Sequence, residues 1–215
     1  MFGFQPVPID NEIIISAGCS VLSSSSYGGK TTSHVITLPT GIVTGDKILI
    51  GVVYNGYTLD PVTGYSLIRT VDLNNSSVSG TLSTYLRTSD GTEGSTVTLT
   101  LSGSDDLAAV CYRLSCSNVS GSTNYGTGTT ATSNAPSSVS GDLKELLLLG
   151  FLDARKVETF PAGYTENPEV NSTGGTGSSL AISSAWKTIT GSSETPGSIS
   201  LDGSVDWGTI VEVFS

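Results

Sequence analysis

Charged side chains make up 13% of this 215-residue chain, about half of the roughly 25% usual in a globular domain. The deficit is uneven: nine Lys and Arg stand against nineteen Asp and Glu, leaving a formal charge of −10. That balance excludes a nucleic-acid binder, because neutralising phosphates needs clustered Lys and Arg. His34 is the single imidazole, which removes most acid–base catalysis and most metal chemistry at once. The longest apolar run, Leu146 to Leu152, falls far short of the ~20 residues needed to cross a bilayer. Residues 1–18, MFGFQPVPIDNEIIISAG, have no Lys or Arg ahead of the apolar stretch, and Pro6 and Pro8 interrupt it. The segment therefore does not read as a secretory signal. Cysteine is sparse and odd in number: Cys19, Cys111 and Cys116 show no metal-ligand spacing. All three are expected to be reduced and structural, as in a protein folding in a cytosol, with a Cys111–Cys116 link as the alternative.

Small uncharged residues fill the gap, with 26 Gly and 63 Ser plus Thr. Such residues are poor helix formers, and the apolar pattern has a period of two. Val97-Thr-Leu-Thr-Leu101 alternates cleanly and Val35-Ile-Thr-Leu38 does so more weakly, marking strands with one buried face. Ile48 to Val53 and Leu146 to Phe151 are short continuous apolar runs bounded by turn residues. They are expected to be central strands, since a strand covered on both faces has no reason to alternate. Leu143 to Leu152 is the only rival for a helix, and Gly150 and Asp153 argue against it.

The chain also repeats itself. Leu99 to Leu114, LTLSGSDDLAAVCYRL, lies without gaps on Ile199 to Phe214, ISLDGSVDWGTIVEVF. Leu86-Arg87-Thr88 meets Trp186-Lys187-Thr188, Pro61 to Tyr65 resembles Pro161 to Tyr164, and Thr44-Gly45-Asp46 resembles Ser140-Gly141-Asp142. An ordered series of this kind predicts two copies of one four-strand unit. A lone sheet leaves an apolar face bare, so the copies should pack face to face. The expectation is an all-β, jelly-roll-like antiparallel β-sandwich of two repeated four-strand halves, with an extended N-terminal arm. Residues 1–32 hold the arm and first strand, and 33–215 form one domain with halves at about 33–116 and 130–215 and a crossover at 117–140.

These motifs carry a resemblance. Gly45-Asp46, Pro61 to Tyr65, Leu86 to Thr88 and Ala109 to Leu114, with their second-half counterparts, resemble the duplicated pattern of phage and bacterial jelly-roll-like β-sandwich proteins. Tyr65 and Tyr164 stand where Trp is common in that pattern. The resemblance covers about residues 33–215 and implies a scaffold of virion surface proteins, tail appendages or extracellular binding modules.

Catalytic constellations are hard to assemble. His34, at the start of a strand, has no nucleophile elbow or matching acid and reads as a surface or strand-edge residue. Asp105/Asp106, Glu166/Glu169 and Asp202/Asp206 are available as carboxylate pairs. Asp106 and Asp206 recur at one repeat position, where capping of a turn accounts for them. Loop carboxylates are the only ligands on offer for calcium, and no residues are assigned to a metal or any other cofactor. Trp186 and Trp207 fall on the repeat positions of Leu86 and Leu107 and read as core. Tyr57, in the loop Gly56-Tyr-Thr-Leu, is the best candidate for a surface contact.

The remaining candidates are Phe2, Phe4, Val7 and Ile9. A tail this apolar is not the composition of a disordered segment, and its prolines favour an extended arm that reaches onto a neighbour. Lysine on exposed edges guards against edge-to-edge pairing, and nine Lys and Arg over so many strands leave that guard thin. Together these features fit a non-enzymatic structural subunit: a bacteriophage capsid decoration (cement) protein. Made in the host cytoplasm and placed on the virion surface, it would bind the major capsid protein and copies of itself, as a homotrimer. The alternative is a receptor- or carbohydrate-binding module of a tail fibre or secreted adhesin, with Tyr57 at the contact.

Overall fold

A computed structural model describes residues 19–73, 80–130, 132–133, 139–140, 144–152, 157–172, 179–189 and 193–214. The first half of the chain forms β1 (Val21–Thr37), β2 (Lys47–Asn55), β3 (Ser66–Asp72), β4 (Gly80–Thr88) and β5 (Thr96–Leu114). The second half begins with β6 (Val119–Gly128), β7 (Thr132–Ser133), β8 (Val139–Ser140), β9 (Lys144–Leu152) and β10 (Val157–Thr159). It continues with β11 (Thr165–Asn171), β12 (Leu180–Thr188), β13 (Ser193–Glu194), β14 (Ile199–Leu201) and β15 (Trp207–Phe214). The protein is an all-β antiparallel sandwich, as its period-two pattern predicts.

One sheet has the order β1-β5-β2-β4-β3 and the other β6-β15-β9-β12-β11. On the repeat alignment these are the same order. Register follows suit, with Gly51 opposite Val110 in the first sheet and Leu148 opposite Ile210 in the second. Each half supplies five strands to its sheet rather than the expected four, because β1 and β6 are added at an edge. Each sheet is drawn from one half of the chain, so the strands are not interleaved between sheets as they are in a jelly roll. The crossover at 117–140 contains a ten-residue strand, β6, and β1 runs through the 32/33 boundary.

The apolar runs are explained by layers. Inward-facing Leu49, Val53, Leu82, Val110 and Leu114 meet Leu148, Leu180, Ile182, Ile210 and Phe214 in the core between the sheets. The opposite faces of the same strands are also apolar and covered. In the first half, Ile50, Val52, Leu107 and Ala109 lie beneath Ile36, Leu99 and Leu101. The cover is made by β1 and β5 themselves, which lose register between Thr31 and Ser33 and double back. Ser25 Oγ then donates to the Thr37 carbonyl at 2.6 Å and Ser23 Oγ to that of Thr40 at 3.0 Å. In the second half, Phe160, Ile199 and Leu201 cover Leu149, Ala181, Trp207 and Val211, with β10-β14-β7 as a small sheet. Among the described residues the buried apolar side chains form three stacked clusters. Central β2, buried on both faces, therefore has no solvent side on which to alternate.

Candidate functional site

The repeated motifs turn out to hold the scaffold together. Asp46 is buried: its Oδ2 accepts from the Val43 N–H at 2.9 Å and from Arg113 Nε at 2.6 Å. Gly45 N–H donates to the Ser89 carbonyl at 2.9 Å, so the Gly-Asp turn also ties the β4–β5 loop. In the Pro-x-Gly-Tyr turns, Gly64 (φ 79°) and Gly163 (φ 89°) occupy the left-handed region that favours glycine. Each lies against the cation of the neighbouring strand. A Cβ on Gly64 would stand 2.6 Å from the Arg87 guanidinium, and one on Gly163 would stand 3.4 Å from Lys187 Cε. Lys187 Nζ lies 5.4 Å from the centre of the Tyr164 ring, a cation–π contact. Arg87 in turn is held by Asp90 and Glu93, each at 3.1 Å. Burial pushes the Glu93 carboxyl up, but backbone N–H groups, the Ser89 hydroxyl and Arg87 outweigh it and hold it below the ordinary value.

Two polar clusters cross the inter-sheet core at equivalent places. Thr84 on β4 donates to Glu212 Oε1 on β15 at 2.6 Å. Arg69, paired with Thr84 in the sheet, brings its Nε to 3.6 Å from the same oxygen. In the other cluster Ser184 on β12 is hydrogen-bonded to the Tyr112 hydroxyl on β5. Asn167, paired with Ser184, donates to that hydroxyl at 2.8 Å. Glu212 is the repeat counterpart of Tyr112 and Ser184 that of Thr84. One duplicated geometry is thus filled by Arg, Thr and Glu on one side and by Asn, Ser and Tyr on the other. Burial pushes the Glu212 carboxyl up, against the pull of Thr84 and Arg69, and pushes the Tyr112 phenol up as well. Both groups are fully buried and out of reach of a substrate, so they serve as bolts between sheets. Sequence reasoning passed over Glu212, although an acid in phase with Ile210 and Phe214 in an apolar run was a usable signal.

Asp105, Asp106, Glu166 and His34 are engaged by the scaffold. Asp106 lies inside β5 rather than in a turn, is 1% exposed, and pairs with Lys30 at 3.1 Å. It serves the β1–β5 ladder, which overrides the capping role expected from its repeat position. Asp105 Oδ1 accepts from the Asp106 N–H at 2.8 Å. Glu166 accepts from the Phe160 N–H at 3.3 Å. His34 is on edge strand β1 as expected but fully buried rather than at the surface, 3.3 Å from the Tyr27 hydroxyl. Burial pushes its pKa down, and its ring, on the folded-back part of β1, meets the Tyr27 ring edge-on at 5.6 Å. Among the described residues no group of three or more His, Cys, Asp and Glu could hold a metal ion.

Tyr57 is exposed at 47%, and its ring lies flat enough on β5 that a Cβ on Gly103 would overlap it. With Tyr54, Gly56, Thr58, Leu59 and Thr81 it lines an open groove of about 360 Å³. Trp207 is buried in the outer core of the second half and Trp186, partly buried, packs against the inter-sheet core, so neither offers a surface ring.

Phe2, Phe4, Val7 and Ile9 lie outside the described residues. Their point of attachment is visible. Cys19 is disulfide-bonded to Cys116, with Cα atoms 4.5 Å apart, and Cys111 is the free, buried thiol. This overturns the expectation of three reduced cysteines and also the Cys111–Cys116 alternative. Cys111 sits inside β5 facing the outer core, whereas Cys116, just past the strand end, meets Cys19 just before β1. Antiparallel pairing of β1 with β5 is what brings positions 97 residues apart together. Burial pushes the Cys111 thiol up to about 12, so it is inert.

β1 ends the first sheet. Over 17 residues it carries one lysine and no proline, with Leu22 and Val35 exposed at 45% and 53%. Comparison with protein-family models, with curated proteins and with solved structures finds no match for this chain. The functional reading rests on its own residues.

Proposed function

We propose that the chain is a non-enzymatic structural subunit on the outer surface of a phage particle, a decoration (cement) protein that works by non-covalent subunit contacts. The observation that carries this reading is the long edge of β1, which has no strand beside it among the described residues, carries Lys30 as its one charge, and is continuous in sequence with an apolar N-terminal segment. An exposed edge with a single charge and no proline is a template for pairing with another chain, and proteins that do not use such edges blunt them. Supporting it, Asp46, Asp90, Glu93, Asp106 and Glu212 are all engaged by cations of the scaffold. The disulfide fits a protein that ends up outside the reducing cytosol. The partners in this reading are the major capsid protein and further copies of the chain, as a trimer.

The test is addition of the purified protein to phage particles that lack it. Co-sedimentation with capsids and a higher temperature of genome release are expected. Particles that neither bind it nor gain heat resistance would overturn the reading. The groove at Tyr54 and Tyr57 favours a second reading, a glycan-binding module, since amphipathic rings at loop ends suit stacking on sugars. That reading requires glycan binding that Tyr57→Ala abolishes.

A further inference from the structure

We propose that the fold-back of the first sheet, residues 33–37 laid beside 96–101, is an acid-sensitive flap that opens when His34 takes up a proton. The flap is independent of the assembly reading and concerns what the fold does as pH falls.

Its hinge is a mismatch in the ladder. β1 and β5 pair down to Thr31 with Asp105 and resume at Ser33 with Thr100, so Thr32 alone faces Leu101 to Ser104. Beyond that break the two strands lie across the outer face of their own sheet, with Ile36, Leu99 and Leu101 on Ile50, Val52, Leu107 and Ala109. Neutral groups fasten the flap. The Ser25 and Ser23 hydroxyls hold the Thr37 and Thr40 carbonyls, and the Asp60 N–H donates to the Thr100 carbonyl at 2.9 Å. Ser33 to Thr37 and Thr96 to Leu101 contain one ionisable side chain, that of His34.

The ring of His34 is fully buried between the layers. Nδ1 lies 3.3 Å from the Tyr27 hydroxyl on the underlying part of β1. Nε2 is buried with no hydrogen-bond partner. An imidazolium donates from both nitrogens, and only Nδ1 has a group within reach. A second proton therefore places a charge without an acceptor in an apolar layer, and such a charge favours whatever state returns it to water.

The surrounding groups do not offset this. On β1 the nearby charge is Lys30, a second cation. On β5 Asp106 is committed to that lysine at 3.1 Å, with Asp105 at 3.8 Å from it. Cys111 on β5 has its thiol pushed up to about 12 and stays neutral, β2 contributes the Tyr54 phenol to this layer, and Asp60 is exposed. Burial lowers the histidine below its ordinary 6.5 and outweighs the opposite pull of the Thr31 backbone and of Asp106. With the folded value below the unfolded one, the neutral ring's contribution is complete above the unfolded value and is lost as pH falls through the folded one. Opening bares Ile36, Leu99 and Leu101 together with Ile50 and Val52 beneath them. Glu212, whose carboxyl burial raises, changes stability in the opposite direction as pH falls, so a local reading is needed.

The test follows the full chain by proton NMR and hydrogen exchange from about pH 7.5 to about pH 5.5, above the ordinary carboxylate range. As the single imidazole, His34 gives one histidine Cε1–H signal, which should titrate below 6.5. Opening takes up one proton, so protection factors at 33–37 and 96–101 should fall by about tenfold per pH unit between the two values. Those of β9 and β15 should hold or rise. His34→Gln and His34→Phe, which carry no titrating ring, should each keep the flap's protection flat across the range. A His34 pKa above 6.5 would mean an imidazolium held inside the closed flap by Asp106, and would overturn the proposal. So would protection in wild type that ignores pH, a loss that persists in the His34 variants, or a loss shared equally by β9 and β15.

Discussion

Replacing Cys19 by alanine removes a link that closes 97 residues of chain. Cross-linking a loop of that length withdraws about 4.7 kcal/mol of chain entropy from the unfolded state at 25 °C, and measured losses of native disulfides run at about 2–5 kcal/mol. The folded state adds little, because both cysteines sit at the margin of the inter-sheet core, 8% and 5% exposed, and alanine leaves only the Cys116 thiol, a weak donor, without its partner. For a chain of this size each kcal/mol is worth about 2–4 °C, so the melting temperature should fall by about 10 °C. Calorimetry of wild type and Cys19→Ala, each with and without reductant, checks this. Reductant should lower wild type to the level of the variant and leave the variant where it is. Cys116→Ala should match Cys19→Ala, and the double variant should be no worse than either. Thiol titration of the unfolded, unreduced wild type should find one reactive group, Cys111. Three reactive thiols together with an indifferent melting curve would refute the pairing and, with it, the fixed exit of the N-terminal segment.

Gly28→Ala should be costly, since a Cβ there would overlap the Asn171 carbonyl; overpacking of this kind costs about 1–3 kcal/mol, read as a lower urea midpoint. Tyr112→Phe strands Asn167 and Ser184 without their shared partner and should cost about 1–3 kcal/mol by the same assay. Glu212→Gln isolates the buried acid. Because burial raises the folded carboxyl above its unfolded value, the acid's favourable contribution is complete below the unfolded value and is lost as pH rises through the folded one. The variant should therefore gain on wild type in urea titrations taken from about pH 4 to about pH 8. A constant difference across that range would mean that Glu212 does not titrate with folding.

The all-β class and the two central strands were legible because each is a local property. Alternation at Val97 to Leu101 records a half-buried strand wherever the rest of the chain goes, and Leu99 and Leu101 are indeed buried while Thr98 is exposed. Ile48 to Val53 reads as doubly covered because it is. What covers each face was not legible. The outer face of the first sheet is covered because β1 and β5 fold back over their own sheet, a bend set by a register break at Thr31/Ser33. The site was less legible still. Tyr57 is exposed as its loop position implied, whereas His34 is buried by that same fold-back.

The sequence by itself determined period, strand placement and the ordered duplication, since backbone propensity and side-chain alternation act over a few residues at a time. Only the tertiary structure decided that Cys19 meets Cys116 and that Thr84 meets Glu212. The two contacts join positions 97 and 128 residues apart, whose proximity follows from how long loops close and sheets stack. No local signal encodes that distance.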